Sequence, residues 1–219
     1  KMFEELDEAI EILGRNTTLP AEAWSRYDGV YYGNIVQWLK YANSLKLRMA
    51  MRLSYVKPDI ARAKAAEAIA GGIITVNADN AAMHAAENRM TLIYNDWGDH
   101  RVGADIISYL DGYDDPRLEK MFLPNDVDDY VGIRIGIDVA GKSTAMSKYS
   151  NMIVASDTPY LWFNAAEATF LHAEYELRWG SAETAKTLYE QAVRLSFEER
   201  GASGADAYLV DATKKPAPY

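Results

Sequence analysis

Apolar residues at the start of the chain recur every three or four positions, which is the spacing of one face of an α-helix. The first run stops at Gly14 and predicts an amphipathic helix over residues 2–13; it consists of Phe3, Leu6, Ile10 and Leu13. A longer run predicts a helix over residues 34–54, with an apolar face made of Ile35, Trp38, Leu39, Ala42, Leu45, Met49 and Leu53. The beginning of the chain is therefore expected to be helical.

Proline and glycine mark the ends of further predicted helices. Pro58 lies in the first turn of a helix that stops at Gly71–Gly72. Asp115 and Pro116 start another, with Asp as the cap and Pro in the first helical position. The remaining helices are predicted over 103–112, about 160–179 and about 181–199.

The middle of the chain lacks this periodicity. Residues 77–102 are polar and irregular, and so are residues 123–158 apart from a strand-like run over Val131–Val139. The helices predicted near 103–118 lie between these two segments. Residues 73–76 are short and β-branched, which suits a single extended turn. An excursion of this length, about 77–158, is typical of a functional or mobile segment.

The two closing helices carry a partial tetratricopeptide pattern. Small residues at Ala173, Ala185 and Ala192, with Tyr189 between them, match the positions where two helices of such a repeat touch. Phe197 stands where the repeat usually has proline, so an unrelated helical hairpin is the alternative. The predicted fold is mostly α, with tetratricopeptide-like helical pairs and a long irregular excursion containing a few short strands.

Composition excludes several function classes. Lys and Arg number 23 against 32 Asp and Glu, a net charge of −9, which argues against a nucleic-acid partner. The absence of cysteine excludes disulfides, thiolate chemistry and cysteine-based zinc sites. No run of 18 apolar residues exists, so no transmembrane segment is predicted.

Residues Gly136–Ser143 satisfy the expression for a phosphate-binding Walker A loop. Such a loop needs backbone N–H groups curled around phosphates and a parallel strand–helix sheet to support it. The chain lacks the alternating strand–helix pattern that builds this sheet. Nucleotide binding is therefore a minor alternative, and no cofactor is predicted.

Metal and catalytic patterns are also weak. His84, His100 and His172 have no ligand spacing, and Asp126–Asp129 resembles the start of a calcium loop whose glycine and terminal glutamate positions hold Val131 and Ile137. No Gly-x-Ser-x-Gly elbow occurs. We predict no metal site and no enzyme, while an irregular calcium site and glycan hydrolysis stay open as minor alternatives.

The candidate binding residues lie in one polar loop. Trp97 stands among amide and carboxylate side chains, and a flat ring in such surroundings can stack on a sugar whose hydroxyls bond to its neighbours. A loop aromatic that packs on the scaffold is the competing interpretation. The predicted ligand-binding residues are Trp97, Tyr94, Asp96, Asn95 and Arg101.

Five blocks of the sequence resemble the SusD/RagB family of Bacteroidetes nutrient-capture lipoproteins, in the family's order. The most specific block contains Ala42-Asn43-Ser44-Leu45-Lys46-Leu47-Arg48. The blocks are Asp28–Asn34, Trp38–Arg52, Glu67–Gly72 with Asn77–Ala81, Asp114–Leu118 and Pro159–Glu176.

The resemblance implies a single SusD-like domain over 1–219, with a helical scaffold at about 1–76 and 159–200 and a ligand face at about 77–158. It implies non-catalytic capture of oligosaccharides or polysaccharides, or of peptides in some members. The partner would be a TonB-dependent, SusC-like transporter, and the location the cell surface of the outer membrane. The alternative function is a tetratricopeptide-like scaffold that binds a peptide or protein.

The chain also departs from this family. Members are about twice as long and carry a lipid-anchor cysteine in the precursor, and this chain stops at Pro216–Tyr219, before their usual C-terminal portion. We therefore expect an internal fragment or a short homologue.

Overall fold

The structure is a computed structural model that describes residues 1–139 and 141–213. Residues 216–219, where the sequence departs from the family pattern, lie outside the described residues. The α-helices are α1 (Met2–Arg15), α2 (Ile35–Arg52), α3 (Pro58–Ala70), α4 (Met90–Asn95), α5 (Ala104–Gly112), α6 (Leu118–Met121), α7 (Lys142–Lys148), α8 (Ala165–Trp179), α9 (Ala182–Arg200) and α10 (Ala205–Val210). The strands are β1 (Ala81–Met83), β2 (Phe122–Leu123), β3 (Asn151–Met152) and β4 (Tyr160–Phe163).

The described chain divides into two compact units. Unit 1 comprises residues 1–84 and 160–196, and unit 2 comprises residues 85–159 together with the chain from residue 197. Each unit holds one antiparallel strand pair: β1 with β4 in unit 1, and β2 with β3 in unit 2.

Helix α2 is the centre of unit 1 and packs against α1, α3 and α8. Leu47 and Ala50 of α2 are fully enclosed, as are Ile74 and Phe163, and their burial supplies the apolar driving force of this core. Helix α3 faces the core with small residues, which lets the helix axes approach closely. These residues are Ala61, Ala65 and Ala68, all fully buried.

The polar residues of the most specific family block hold α2 to its surroundings. The Asn43 amide donates to the carbonyl of Gly71 at 3.0 Å, and the Ser44 hydroxyl accepts from the N–H of Ile74 at 2.9 Å. The Arg48 guanidinium binds both carboxylate oxygens of Glu167 at 2.6 Å. A side chain at Gly71 would meet Asn43 at 2.7 Å, so this glycine permits the close approach. The block therefore has a structural role in unit 1.

Helices α8 and α9 form the predicted hairpin. Gly180 and Ser181 separate them, and the rings of Phe170 and Tyr189, nearly equidistant from this turn, meet edge to face at 5.6 Å. The small residues of the repeat pattern are buried as expected: Ala173, Ala185 and Ala192. The contact between rings on both sides of the turn indicates an antiparallel pair.

Unit 2 has a smaller apolar cluster, which joins α5, α6 and β2. Its buried members are Val102, Ile107, Leu118 and Phe122. Next to it, the buried Asp115 carboxylate accepts from Arg117 Nε at 2.9 Å, and the Arg117 guanidinium lies 4.8 Å from the centre of the Phe197 ring. Burial raises the pKa of Asp115, but the bonds from Arg117 outweigh it and hold the pKa below its usual value.

The prediction of a mostly helical fold with a few short strands is confirmed. The helices predicted at 2–13, 34–54 and 103–112 form within two residues of those limits. The helix expected from residue 160 begins only at Ala165, because the Asn164 side chain caps it by accepting from the N–H of Glu167 at 2.8 Å. Residues 160–163 are instead the strand β4.

Other local predictions are also corrected. The helix expected from Asp115–Pro116 starts at Leu118, because the Asp115 side chain accepts from the N–H of Arg117 and closes a turn first. The run Val131–Val139 forms no named strand among its described residues, only one bridge between Ile133 and Gly103. The segments taken as irregular contain α4 and α7, both too short to show a full helical period.

Candidate functional site

The predicted site residues lie at the end of α4 and in the turn that follows it, within unit 2. Tyr94 and Asn95 form the last turn of the helix, and Asp96 and Trp97 form the turn beyond. The Trp97 side chain is 53% exposed, and Asn95 and Asp96 are exposed beside it. Trp97 is thus an accessible ring among polar groups rather than a core residue.

Backbone hydrogen bonds shape this turn, which we call the Trp97 turn (residues 95–99). The N–H groups of Asp96 and Trp97 both donate to the carbonyl of Leu92, and the N–H of Gly98 donates to that of Tyr94 at 3.0 Å. Gly98 adopts a left-handed φ of 64°, and a side chain there would lie 3.0 Å from the sulfur of Met146. Glycine is therefore required where the helix ends and the chain turns back.

Lys142, the first residue of α7, fastens the Trp97 turn. Its ammonium donates to the carbonyl of Trp97 at 3.0 Å and forms an ion pair with Asp99. The two contacts lie on either side of Gly98. They fix the backbone that presents Trp97, which reduces the entropy lost when a ligand binds to the ring.

Tyr94 and Arg101 are brought together, but Tyr94 is already engaged by protein groups. Its ring stacks on His100 with centroids 5.6 Å apart, and the Arg101 guanidinium lies 5.0 Å from its centre. Arg101 Nε donates to the carbonyl of Ala145 at 3.0 Å, and a second N–H donates to that of His100. Tyr94 therefore supports Arg101.

An open cleft of about 610 Å³ adjoins the turn. We call it the Arg101 cleft. Its walls are Gly98, Asp99, His100, Arg101, Ile133, Val139, Gly141, Lys142 and Ala145. Of the predicted site residues only Arg101 lines it, while the other four lie in α4 and the turn that borders it. Within the described chain, His100 Nδ1 and Arg101 Nη2 are buried polar atoms that lack a hydrogen-bond partner.

Sequence reasoning missed His100 and Lys142 as members of this region. In the sequence, Lys142 is part of the Walker A match, and His100 shows no spacing typical of metal ligands. In the structure Lys142 holds the Trp97 turn, and the strands of the described residues form two-stranded antiparallel sheets, without the parallel sheet that a phosphate loop requires. Ala140 of that pattern lies outside the described residues.

Across residues 1–139 and 141–213, no group of three or more His, Asp or Glu side chains is arranged to hold a metal ion. The acidic turn at 126–129 is ordered by Asn125, whose side-chain oxygen accepts from the N–H groups of Val127 and Asp129. None of the helices in the described chain is long and apolar enough to cross a membrane.

Unit 1 has an apolar groove of about 500 Å³, which includes the exposed Trp24 and Tyr27. At one side of it, the Trp38 indole donates to the Asp28 carboxylate at 2.7 Å, and the N–H of Gly33 donates to the same oxygen at 2.8 Å. Burial raises the pKa of Asp28, yet these hydrogen bonds hold it below its usual value. Trp38 therefore packs and fastens the loop before α2, as its helical spacing suggested.

Solved structures similar to this chain are SusD homologues. One from Bacteroides thetaiotaomicron VPI-5482 is 46% identical with a TM-score of 0.90, covering 95% of this chain and 45% of its own. One from Bacteroides uniformis ATCC 8492 is 41% identical with a TM-score of 0.86, and the match covers 99% of this chain and 47% of that homologue. A chitin-binding SusD homologue from Flavobacterium johnsoniae is 36% identical with a TM-score of 0.86, and the match covers 96% of this chain and 45% of that homologue.

This chain spans less than half the length of these relatives. No curated protein sequence matches it significantly. The family model of SusD-like proteins, described as Susd and RagB outer membrane lipoproteins, matches residues 1–219. With that match and the identities of its solved relatives, the chain belongs to the SusD-like family.

Proposed function

We propose that this chain is part of a non-catalytic protein that captures oligosaccharides or polysaccharides, and that the Trp97 turn and the Arg101 cleft form its ligand-binding face. The observation that carries the proposal is a half-exposed indole on a turn that Lys142 fixes from two sides. A fixed planar ring stacks on a pyranose with little loss of entropy.

The neighbouring groups supply what a sugar needs in addition to a stacking ring. Asn95 offers an amide and Asp96 a carboxylate, both exposed beside Trp97, and these bond to hydroxyls. Ile133 and Val139 add apolar surface in the cleft, next to the polar His100 and Arg101. The chitin-binding relative from Flavobacterium johnsoniae supports a glycan ligand for this family member as well.

The wider role follows from the family. We propose that the whole protein is lipid-anchored on the outer surface of the outer membrane and passes its ligand to a TonB-dependent, SusC-like transporter. In this proposal the helical scaffold, about 1–76 and 159–200, faces that partner, and the segment 77–158 carries the ligand face. The alternative of a general peptide-binding scaffold is not favoured, because the chain belongs to a family of outer membrane lipoproteins and one solved relative binds chitin.

Retention on native gels cast with different polysaccharides tests the proposal. The wild-type chain should be retarded by at least one polymer, and Trp97→Ala should migrate as it does in a gel without polymer. Trp24→Ala is the matched control, because Trp24 is 54% exposed and lies in unit 1. Equal retardation of wild type and Trp97→Ala would overturn the site, and no retardation by any polymer would count against glycan capture by this chain.

A further inference from the structure

The Arg101 cleft has an excess of positive charge in a chain of net charge −9. Lys142 is neutralised by Asp99, at the edge of the cleft. Among the described residues no carboxylate forms an ion pair with Arg101, whose charge is met only by the carbonyls of Ala145 and His100 and by the Tyr94 ring. A guanidinium in this position favours an anionic group in the cleft.

Two buried polar atoms without a hydrogen-bond partner in the described chain, His100 Nδ1 and Arg101 Nη2, indicate which further groups a ligand with this anion should carry. His100 Nε2 lies 3.0 Å from the carbonyl of Met90, which can only accept, so Nε2 donates; in that tautomer Nδ1 is an acceptor. Arg101 Nη2 is a donor without an acceptor. Such buried atoms cost free energy until a ligand supplies their partners.

We propose, building on the glycan-capture function above, that the captured glycan contains a uronic acid whose carboxylate is bound by Arg101 and one of whose free ring hydroxyls donates to His100 Nδ1. A uronic acid unit presents both a carboxylate acceptor and free ring hydroxyls as donors, which matches this donor and acceptor pair. Both protein atoms are enclosed in the free protein, so binding includes a rotation of the Arg101 side chain away from the carbonyl of His100 toward the ligand.

The surrounding walls fit the rest of such a sugar. Ile133 and Val139 provide apolar surface for the C–H groups of the ring. The Trp97 turn borders the cleft and presents a stacking ring for another sugar unit. Since the whole chain is acidic, general attraction to polyanions is disfavoured, and retention of an acidic polymer would come from the cleft itself.

The experiment compares acidic polymers with their uncharged counterparts on the wild-type chain. Native gels are cast with polygalacturonate, alginate or hyaluronan, and with methyl-esterified or carboxyl-reduced forms of the same polymers. Retardation by one of the acidic polymers should be lost, or weakened about tenfold or more, when the carboxylates are blocked, as expected for the loss of a charge-assisted hydrogen bond.

Variants then show which residue causes the preference for the acidic polymer. Arg101→Met should lose the preference for the acidic form, and Arg101→Lys should keep part of it because the charge remains. Lys148→Met is the matched control, since it removes the same charge from an exposed position on α7 that does not line the cleft. Circular dichroism confirms that each variant folds. If Arg101→Met does not fold, the comparison of free and blocked polymers on the wild-type chain still tests whether a carboxylate is recognised.

The outcomes separate the two proposals. Equal retardation by free and blocked polymers, or retardation by neutral polysaccharides alone, would refute the uronic acid and leave glycan capture standing. An acid preference that Arg101→Met retains would refute Arg101 as its source. Absence of retardation by every acidic and neutral polymer would remove both proposals together.

Discussion

Some side chains in this structure stabilise the fold and others shape the proposed ligand face. Arg48 is a clear example of the first kind. Its guanidinium forms a bidentate pair with Glu167 and lies 3.8 Å from the centre of the Phe163 ring. We expect Arg48→Met to lower the free energy of unfolding by about 1–2 kcal/mol, a value reduced by partial exposure of the pair. Arg15→Met is the control, because among the described residues Arg15 forms its ion pair with the exposed Glu11, and its loss should cost under about 1 kcal/mol in urea unfolding. Equal losses would contradict this role of Arg48.

Asp115 makes stability depend on pH in a defined direction. Its pKa is lowered in the folded protein by Arg117, so the folded state binds protons less readily than the unfolded chain. The stabilisation is complete above the ordinary pKa of 3.8 and is lost as the pH falls through the lowered folded value. Asp115→Asn should therefore be less stable than wild type at pH 7, by about 1–3 kcal/mol, with the gap closing in acid. Urea titrations between pH 7 and pH 2 measure this gap, and parallel stability curves would contradict it.

Lys142 is a positioning residue for the proposed ligand face. Removing its contacts with Trp97 and Asp99 in Lys142→Met should free the Trp97 turn and weaken glycan retention by about three- to tenfold, since the turn must then be ordered on binding. Lys142→Arg should restore part of the retention. The anisotropy of Trp97 fluorescence, measured in variants that lack the other tryptophans, should fall in Lys142→Met alone. Unchanged anisotropy and retention would show that the turn keeps its shape without this clamp.

At the scale of secondary-structure elements, the alanine face of α3 sets how closely it approaches α2. Ala65 is fully buried, whereas Ala63, two residues earlier on the same helix, is exposed. Ala65→Leu should destabilise the protein by about 1–3 kcal/mol through overpacking, while Ala63→Leu should change stability by less than about 0.5 kcal/mol. Thermal unfolding followed by circular dichroism compares the pair. Similar melting temperatures for both variants would show that the α2–α3 interface tolerates extra volume.

The elements also show which features a sequence can predict. Long helices such as α1 and α2 were predictable because their apolar faces repeat over several turns, although α1 runs through the predicted stop at Gly14 and ends at Arg15. The strand β4 was missed because it lies directly before α8, with only the cap Asn164 between them, and its pairing partner β1 lies far away in sequence. Helix α4 was missed because six residues are too few to show a period.

The candidate site was predictable only in part for a similar reason. Trp97 could be selected because its neighbours along the chain are polar, a local property of the sequence. The cleft depends on Lys142, Ile133 and Ala145, which folding brings to His100 and Arg101 from distant positions. No local pattern indicates such a grouping. Its one sequence signal, Lys142, was masked by a chance match to a phosphate-binding motif.

At the scale of the whole molecule, the residues that hold the helical core and the residues proposed to bind the ligand are different. The most specific family block, Ala42–Arg48, holds α2 to its surroundings and makes no part of the proposed ligand face. That face belongs to unit 2, where Trp97 and Arg101 lie in segments without a family motif. This arrangement predicts that ligand specificity transfers with residues 85–159 rather than with the scaffold.

The central claim is that the Trp97 turn and the Arg101 cleft bind adjacent sugar units of one chain. Isothermal titration calorimetry with oligosaccharides of increasing length, prepared from the polymer that retards the protein most, tests it directly. Affinity should rise about tenfold or more between one sugar unit and four, because further units engage the second part of the face. Trp97→Ala should abolish that gain. A Kd that is independent of chain length, or titrations of Trp97→Ala that superimpose on those of wild type, would contradict the account.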